Sequence, residues 1–288
     1  MDFTGTPFNV LVLVFTASTL LTVGLGTTGD VLRGTITNVP LALGALAANL
    51  IVVPALGWGL AEALALDAPA FVALVLLAAS PGGPFGAKLA QVQRGDAVAG
   101  AALMSSLAVV GTLSVPILGA FILSSARVGV DDLSIAIAPL ILRIVASQIV
   151  PFSIGVVARA VSVPTADALR RPASLISTVS FLSVLAWIFI AGFDDVVRLS
   201  GSFLAAAFTL IALAIVFGAF LAPGPARLRT SAGAIAGVRS AAPVLAVISA
   251  EFTDEPSILP AVAAIVIVEL LVQLPWNLWL GRRREALH

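Results

Sequence analysis

The chain has 288 residues, 60% of them apolar and only 10% charged, with a mean hydropathy of +1.13. That composition excludes an ordinary soluble domain and leaves a polytopic membrane bundle. There is no cysteine, so disulfides, thiolate metal sites and cysteine nucleophiles are excluded, and the formal net charge of zero gives no sign of a nucleic-acid partner.

A bilayer core takes about 20 apolar residues per helix. Nine stretches qualify, at 8–26, 39–61, 70–93, 97–123, 134–158, 173–193, 202–221, 230–250 and 257–280. The first has no basic leader and no small-residue cleavage site, so it reads as a span rather than a signal peptide. The connections carry nearly all the charge. Taken alternately, one side holds Arg33, Arg94, Arg159, Arg170, Arg171, Arg227, Arg229, Arg282, Arg283 and Arg284; the other holds only Arg127 and Arg198. This asymmetry predicts a multi-pass protein of the plasma (inner) membrane, N-terminus outside and C-terminus cytoplasmic. Most acidic residues, among them Glu62, Asp67, Asp194, Asp195 and Glu251, fall on the outer side. His288, the last residue, reads as a tail residue rather than a ligand.

Two spans are interrupted. The third is apolar up to Ala79 and then meets Ser80-Pro81-Gly82-Gly83-Pro84. Proline lacks an amide hydrogen and glycine stabilises helix poorly, so the helix breaks near the midplane and resumes as a half-helix from Phe85 to Gln93. The eighth has a weaker break through Ser231, Gly233, Gly237, Arg239, Ser240 and Pro243. Broken backbone is tolerated in lipid only where protein or a polar cavity covers it, and two such spans in separate halves of a chain point to a transporter of inverted repeats. Four ionisable residues lie within spans: Lys88, the single lysine, Arg143, Arg239 and Glu269. Intramembrane charge of this kind marks a site by default.

At these positions the chain resembles the bile acid:sodium symporter family. The family carries Pro-Gly-Gly-Thr-Ala-Ser-Asn at its first helix crossing, where this chain has Pro81-Gly82-Gly83-Pro84-Phe85-Gly86-Ala87; a basic residue, glycine and an acidic or amide residue follow, here Arg94-Gly95-Asp96. The second crossing, Glu-x-Gly-x-Gln-Asn in the family, is Ile235-Ala236-Gly237-Val238-Arg239-Ser240. The segment from Gly24 to Asp30 is similar to the family's loop after an early helix. The resemblance implies an all-α bundle with two inverted repeats and two crossing helices. It also implies ten helices; nine are counted here, and the first of the ten has no counterpart. By the same resemblance a core domain covers 39–123 and 202–280, a panel domain covers 8–26 and 134–193, and substrate crosses between them by alternating access.

The departures from the family concern its sodium sites. The resemblance places first-site ligands at Gly86 and Ala87, a glutamate shared by both sites at Ile235, and a second-site glutamine at Arg239; none of these side chains suits sodium. Asn49 stands where the family has another glutamine. The expectation is therefore that Lys88 and Arg239 stand in for the two ions, with Arg239 bonding Asn49 and nearby carbonyls. Three readings of Lys88 are open: a structural cation, a lysine that couples transport to protons, and a stem that snorkels to the surface near Arg94. Glu269, with Gln273 one turn later on the same face, is expected to pair with Arg239, Lys88 or Arg143. Ser240 joins this candidate substrate or coupling set, and Phe85, Met104 and Trp187 are candidates for an apolar pocket wall.

The crossing's positive charge favours an organic anion, a small carboxylate or a bile-acid-like solute, with protons as the candidate coupling ion in preference to sodium and with no cofactor or metal. Two alternatives stay open: a sodium symporter with backbone ligands, and a non-transporting sensor or scaffold on the same fold. An enzyme is not expected, since there is no internal histidine, no Gly-x-Ser-x-Gly elbow and no Walker loop.

Overall fold

The computed structural model describes residues 6–29, 38–83, 85–125, 142, 145–252, 255 and 257–286. Pro84 and Arg143 lie outside the described residues, as does most of the stretch 134–144. Among those described, the chain is helical almost throughout, with a single isolated β-bridge and no strand. Five helices are long and apolar enough to cross a membrane, at Thr6–Gly26, Val39–Ala63, Val163–Ala191, Gly201–Leu221 and Ile258–Glu285. The bent pair Val98–Gly111 and Leu113–Gly119 makes a sixth when its two halves are taken as one span. Broken spans escape a length criterion, because neither half alone is long enough.

Helix α1 (Thr6–Gly26) packs on α6 (Val150–Val161) and α7 (Val163–Ala191). The contact with α6 is a backbone approach at paired glycines: a Cβ at Gly24 would lie 2.2 Å from Phe152 O, and one at Gly155 would lie 2.6 Å from Leu21 O. Without a hydrophobic drive between helices in lipid, such close approach supplies the packing. Gly155→Val is expected to push α1 and α6 apart and lower the thermal unfolding temperature in detergent, whereas Gly29→Val, with open space around its Cβ position, is not. On α7, Thr19 Oγ1 of α1 bonds Ser177 Oγ at 2.7 Å, and Phe15 stacks on Phe181 at 5.1 Å.

Helix α2 spans Val39–Ala63 and contains a π-helical turn at Ala48–Val52. Asn38 caps its start by accepting the Leu41 amide. Pro54 follows the π turn, which absorbs the missing amide hydrogen without ending the helix. The same pairing recurs before α6, where a π turn at Val145–Ile149 precedes Pro151.

The third predicted span is two helices, α3 (Ala68–Ala78) and α4 (Gly86–Val92). Helix α5 (Ala97–Ser125) follows and bends by 50° between Gly111 and Leu113, one turn before Pro116. The α4–α5 turn explains the Arg94-Gly95-Asp96 motif: Arg94 has φ 54°, Gly95 leaves no room for a Cβ against Ser231 Oγ, and Asp96 Oδ1 caps α5 through the Ala99 amide. Helix α7 begins ten residues before the apolar stretch predicted at 173–193, its polar first turns capped by Ser162. A short α8 (Phe193–Val197) leads to α9 (Gly201–Leu221), capped by Ser200. The eighth predicted span is again two helices, α10 (Ala226–Gly237) and α11 (Ala241–Glu251), and the last helix, α12, runs Ile258–Glu285. The main apolar core lies where α3, α9, α11 and α12 meet, around Phe71, Leu74, Phe203, Leu210, Val244 and Ile265.

Candidate functional site

The two breaks meet as antiparallel extended segments. Pro81 and Arg239 form the β-bridge; Ser240 N donates to Ser80 O at 2.9 Å, Gly83 N to Val238 O at 3.4 Å, and Ser80 Oγ to Ser240 O at 2.6 Å. Each break thereby satisfies part of the backbone of the other, as unwound chain at membrane depth requires. Ser114 of α5 adds a bond to Ala79 O at 2.8 Å.

Arg239 lies buried in this crossing, 2% exposed. Its guanidinium donates to Ala78 O at 3.2 Å, to Ala236 O and to Asn49 Oδ1. Ala78 closes α3 and Ala236 is the penultimate residue of α10. One cation therefore caps the carbonyl ends of both half-helices, where the helix dipoles are negative. Asn49 is held for this by the π turn and by its own Nδ2 bond to Ala45 O at 2.8 Å. The expected bonds from Arg239 to Asn49 and to nearby carbonyls are thus present.

Glu269, 3% exposed, faces the same crossing from α12. Its partner is Arg239, but through the main chain: the Arg239 amide donates to Oε2 at 3.0 Å. Gln273 bonds Ala234 O at 3.1 Å, and Gly237 makes room for it, since a Cβ there would lie 2.2 Å from Gln273 Nε2. Asn277, one turn further, donates to Gln273 Oε1 at 2.9 Å. Ser240 is buried and enters through its backbone.

Gly86 abuts Ile235: a Cβ on Gly86 would lie 2.8 Å from Ile235 Cδ1. Lys88 departs from the expectation of a cation inside the crossing. It projects from α4 with its side chain exposed on the wall of a cavity, and makes no hydrogen bond or ion pair among the described residues. The reason is helical phase: Gly86, Leu89 and Ala90 turn inward from α4, and Phe85 and Lys88 turn outward.

That cavity, of about 440 Å³, lies between α1 and α7 on one wall and α4, α5, α12 and the crossing on the other. Phe15, Phe85, Ala87, Met104 and Phe181 give it an apolar surface, and Thr19, Thr22, Ser105, Ser174, Ser177 and Thr178 a hydroxyl-rich one. Arg239 and Glu269 reach it from the crossing; Lys88, Gln91 and Arg170 line it toward the arginine-rich helix ends. Within this lining, Phe181 contacts Phe85 at 6.3 Å and Phe15 at 5.1 Å. Trp187 is not part of the wall; it packs on Phe8 at 5.9 Å. Arg170 and the hydroxyls were not foreseen, although Thr19/Thr22 and Ser174/Ser177/Thr178 recur at helical spacing within apolar spans, a legible polar stripe.

At the arginine-rich end, Arg284 of α12 bonds Gln93 O and Thr230 Oγ1, both at 2.7 Å, and Gln93 bonds Thr230 O at 2.9 Å. These bonds tie the arginine-rich ends of α4, α10 and α12 together. Trp276 and Trp279 stack at 5.3 Å with Arg283 over Trp279, as side chains at a membrane interface do.

An all-helical membrane protein with two paired helix breaks, and a cavity at the pair, is of the class of membrane transporters. The sodium bile acid symporter family model matches residues 10–199, and the chain belongs to that family. The match ends before the second crossing, so Arg239 and Glu269 lie outside it. Among curated proteins, none matches the chain.

Proposed function

We propose that this chain is a secondary transporter of an organic anion that works by alternating access without sodium. The observation that carries the reading is Arg239, whose guanidinium occupies the carbonyl ends of both half-helices. Unwound carbonyls and half-helix C-termini are where transporters of this architecture hold a coupling cation. A tethered guanidinium needs no ion there. The place that the family resemblance gives to the first ion is filled by Ile235 packed on Gly86, an apolar contact that offers no oxygen.

Lys88 then takes a different role from that of a second substitute ion. With Arg170 it makes the cavity wall positive toward the arginine-rich helix ends, which draws an anion in. The apolar wall and the hydroxyl wall suit a solute with an apolar body, a few polar groups and one anionic group, a bile-acid-like solute or a small carboxylate. The packing of α1, α6 and α7 on one another supports their moving as a panel against a core of α2 to α5 and α9 to α12. The inverted-repeat relation of the two crossings is supported by their antiparallel pairing. With the arginine-rich ends in the cytoplasm, Lys88, Gln91 and Arg170 line the cytoplasmic end of the cavity.

The test is uptake of taurocholate and a panel of small carboxylates into proteoliposomes, with sodium and proton gradients imposed separately. Uptake is expected to be unchanged when potassium replaces sodium. Strict dependence on sodium would sink the sodium-free reading in favour of carbonyl-bound sodium; no flux of any anion would favour a sensor or scaffold.

A further inference from the structure

An anion cavity with a carboxyl group in its wall poses a chemical problem. Glu269 is the one acidic side chain among the described residues that line the cavity, which it shares with Lys88, Arg170 and Arg239. It is buried at mid-helix, and among the described residues its one hydrogen bond is from the Arg239 amide. No Lys or Arg side-chain nitrogen stands within 4.0 Å of its carboxylate among the described residues. The nearest guanidinium, that of Arg239, is turned to Ala78 O, Ala236 O and Asn49.

The elements packed on α12 bring few other charges. Lys88 comes from α4 and Arg170 from α7, the latter in the polar first turns of that helix. Helices α3 and α9 carry no titratable side chain, and α11 carries only Glu251, at its last residue. Helix α10 carries Arg227 and Arg229 in its first turn, and α8 carries Asp194 and Asp195, both remote from the middle of α12.

We propose that Glu269 is a proton-binding site in the cavity wall and that its protonation is coupled to binding of the transported anion. This rests on the anion-transport reading above. Ionised, Glu269 repels an anion across a poorly screened cavity. Protonated, it removes that repulsion, leaves the charges of Lys88, Arg170 and Arg239 unopposed, and offers an O–H donor. The linkage is reciprocal: the anion favours the proton and the proton favours the anion. One proton and one monoanion enter together, the carboxyl O–H forms on binding and breaks on release, and the net charge moved is zero. Arg239 stays charged throughout.

The experiment uses the full chain in lipid nanodiscs. Infrared difference spectra between acid and alkaline pH, to which the exposed carboxyls also contribute, are expected to contain one protonated-carboxyl band that shifts in Glu269→Asp and is missing from Glu269→Gln. The glutamine keeps a carbonyl acceptor for the Arg239 amide, so the crossing retains its bond. Taurocholate is the probe, because its sulfonate does not titrate. Wild-type affinity is expected to rise by up to about tenfold per unit fall in pH, the limit for one linked proton, and Glu269→Gln to be flat. Persistence of that band in Glu269→Gln overturns the proton site, and wild-type affinity independent of pH overturns the coupling. Loss of the band in Glu269→Gln, with no anion bound or transported by the wild type, overturns the transport reading and the coupling with it, while the proton site stands.

Discussion

Arg239→Ala is expected to lose both transport and the thermal stability of the fold. The substitution removes the donor shared by Ala78 O, Ala236 O and Asn49 Oδ1, all buried in the crossing. Breaking a buried charged network from one side costs roughly 3–5 kcal/mol, because the remaining groups cannot return to water. Glu269, bonded to the Arg239 amide, also loses the cation beside it. Arg239→Lys is expected to fall between, since one ammonium is a point charge and cannot reach three separated acceptors as a fork does. The sharper readout is chemical. Arg239→Ala leaves a space bordered by two helix-end carbonyls and an amide oxygen, with a carboxylate close by, and such a set suits a small hard cation. Sodium, but not choline, is therefore expected to raise the unfolding temperature of Arg239→Ala while leaving the wild type unmoved, by the mass action of a ligand that binds only the folded form. A variant as stable and as active as the wild type would remove the guanidinium from the explanation of the crossing.

How far the sequence carries a reader depends on which residues are local to one another. The breaks in the third and eighth spans are legible because Pro81, Gly82, Gly83, Gly237 and Ser240 act on their own helix. The partnership of Arg239 with Asn49 is legible because a guanidinium in a membrane needs acceptors and the family resemblance places an amide at Asn49. Three points were out of reach. The direction of Lys88 depends on the phase of a seven-residue helix whose start is set by the break, so a shift of one residue exchanges crossing for cavity. Arg170 reads as one more arginine beyond a span, until α7 begins early and lays that side chain against Gly26 of α1, at 3.2 Å from a Cβ position there. The pairing of Glu269 with a backbone amide rather than a side chain is likewise a matter of tertiary placement, invisible to rules that match opposite charges.

Gly82→Ala is expected to disable the protein as completely as the loss of Arg239, by a different route. Gly82 has φ 82°, in the left-handed region that side chains other than glycine rarely adopt. A Cβ there would lie 2.4 Å from Ala108 N and 2.6 Å from Leu107 C, which are backbone atoms of α5 and cannot swing aside. Overpacking of this kind costs roughly 1–3 kcal/mol, and a strained backbone residue adds about 1–3 kcal/mol. Relief is available only by moving the break away from α5. That movement strips Ser114 from Ala79 O, opens the pairing of Ser80 with Ser240, and draws Ala78 O off the guanidinium. The damage thus propagates from one methyl group to the whole crossing. Gly59→Ala is the matched control, since nothing lies within 4 Å of its Cβ position and the residue is exposed in the interior of α2. It is expected to be neutral or to gain up to about 1 kcal/mol from better helix propensity. Uptake and thermal unfolding of the two variants, measured side by side, separate a demand for glycine at the crossing from a general intolerance of added methyl groups; equal behaviour of the two would remove the close approach of Gly82 and α5 from the account of transport.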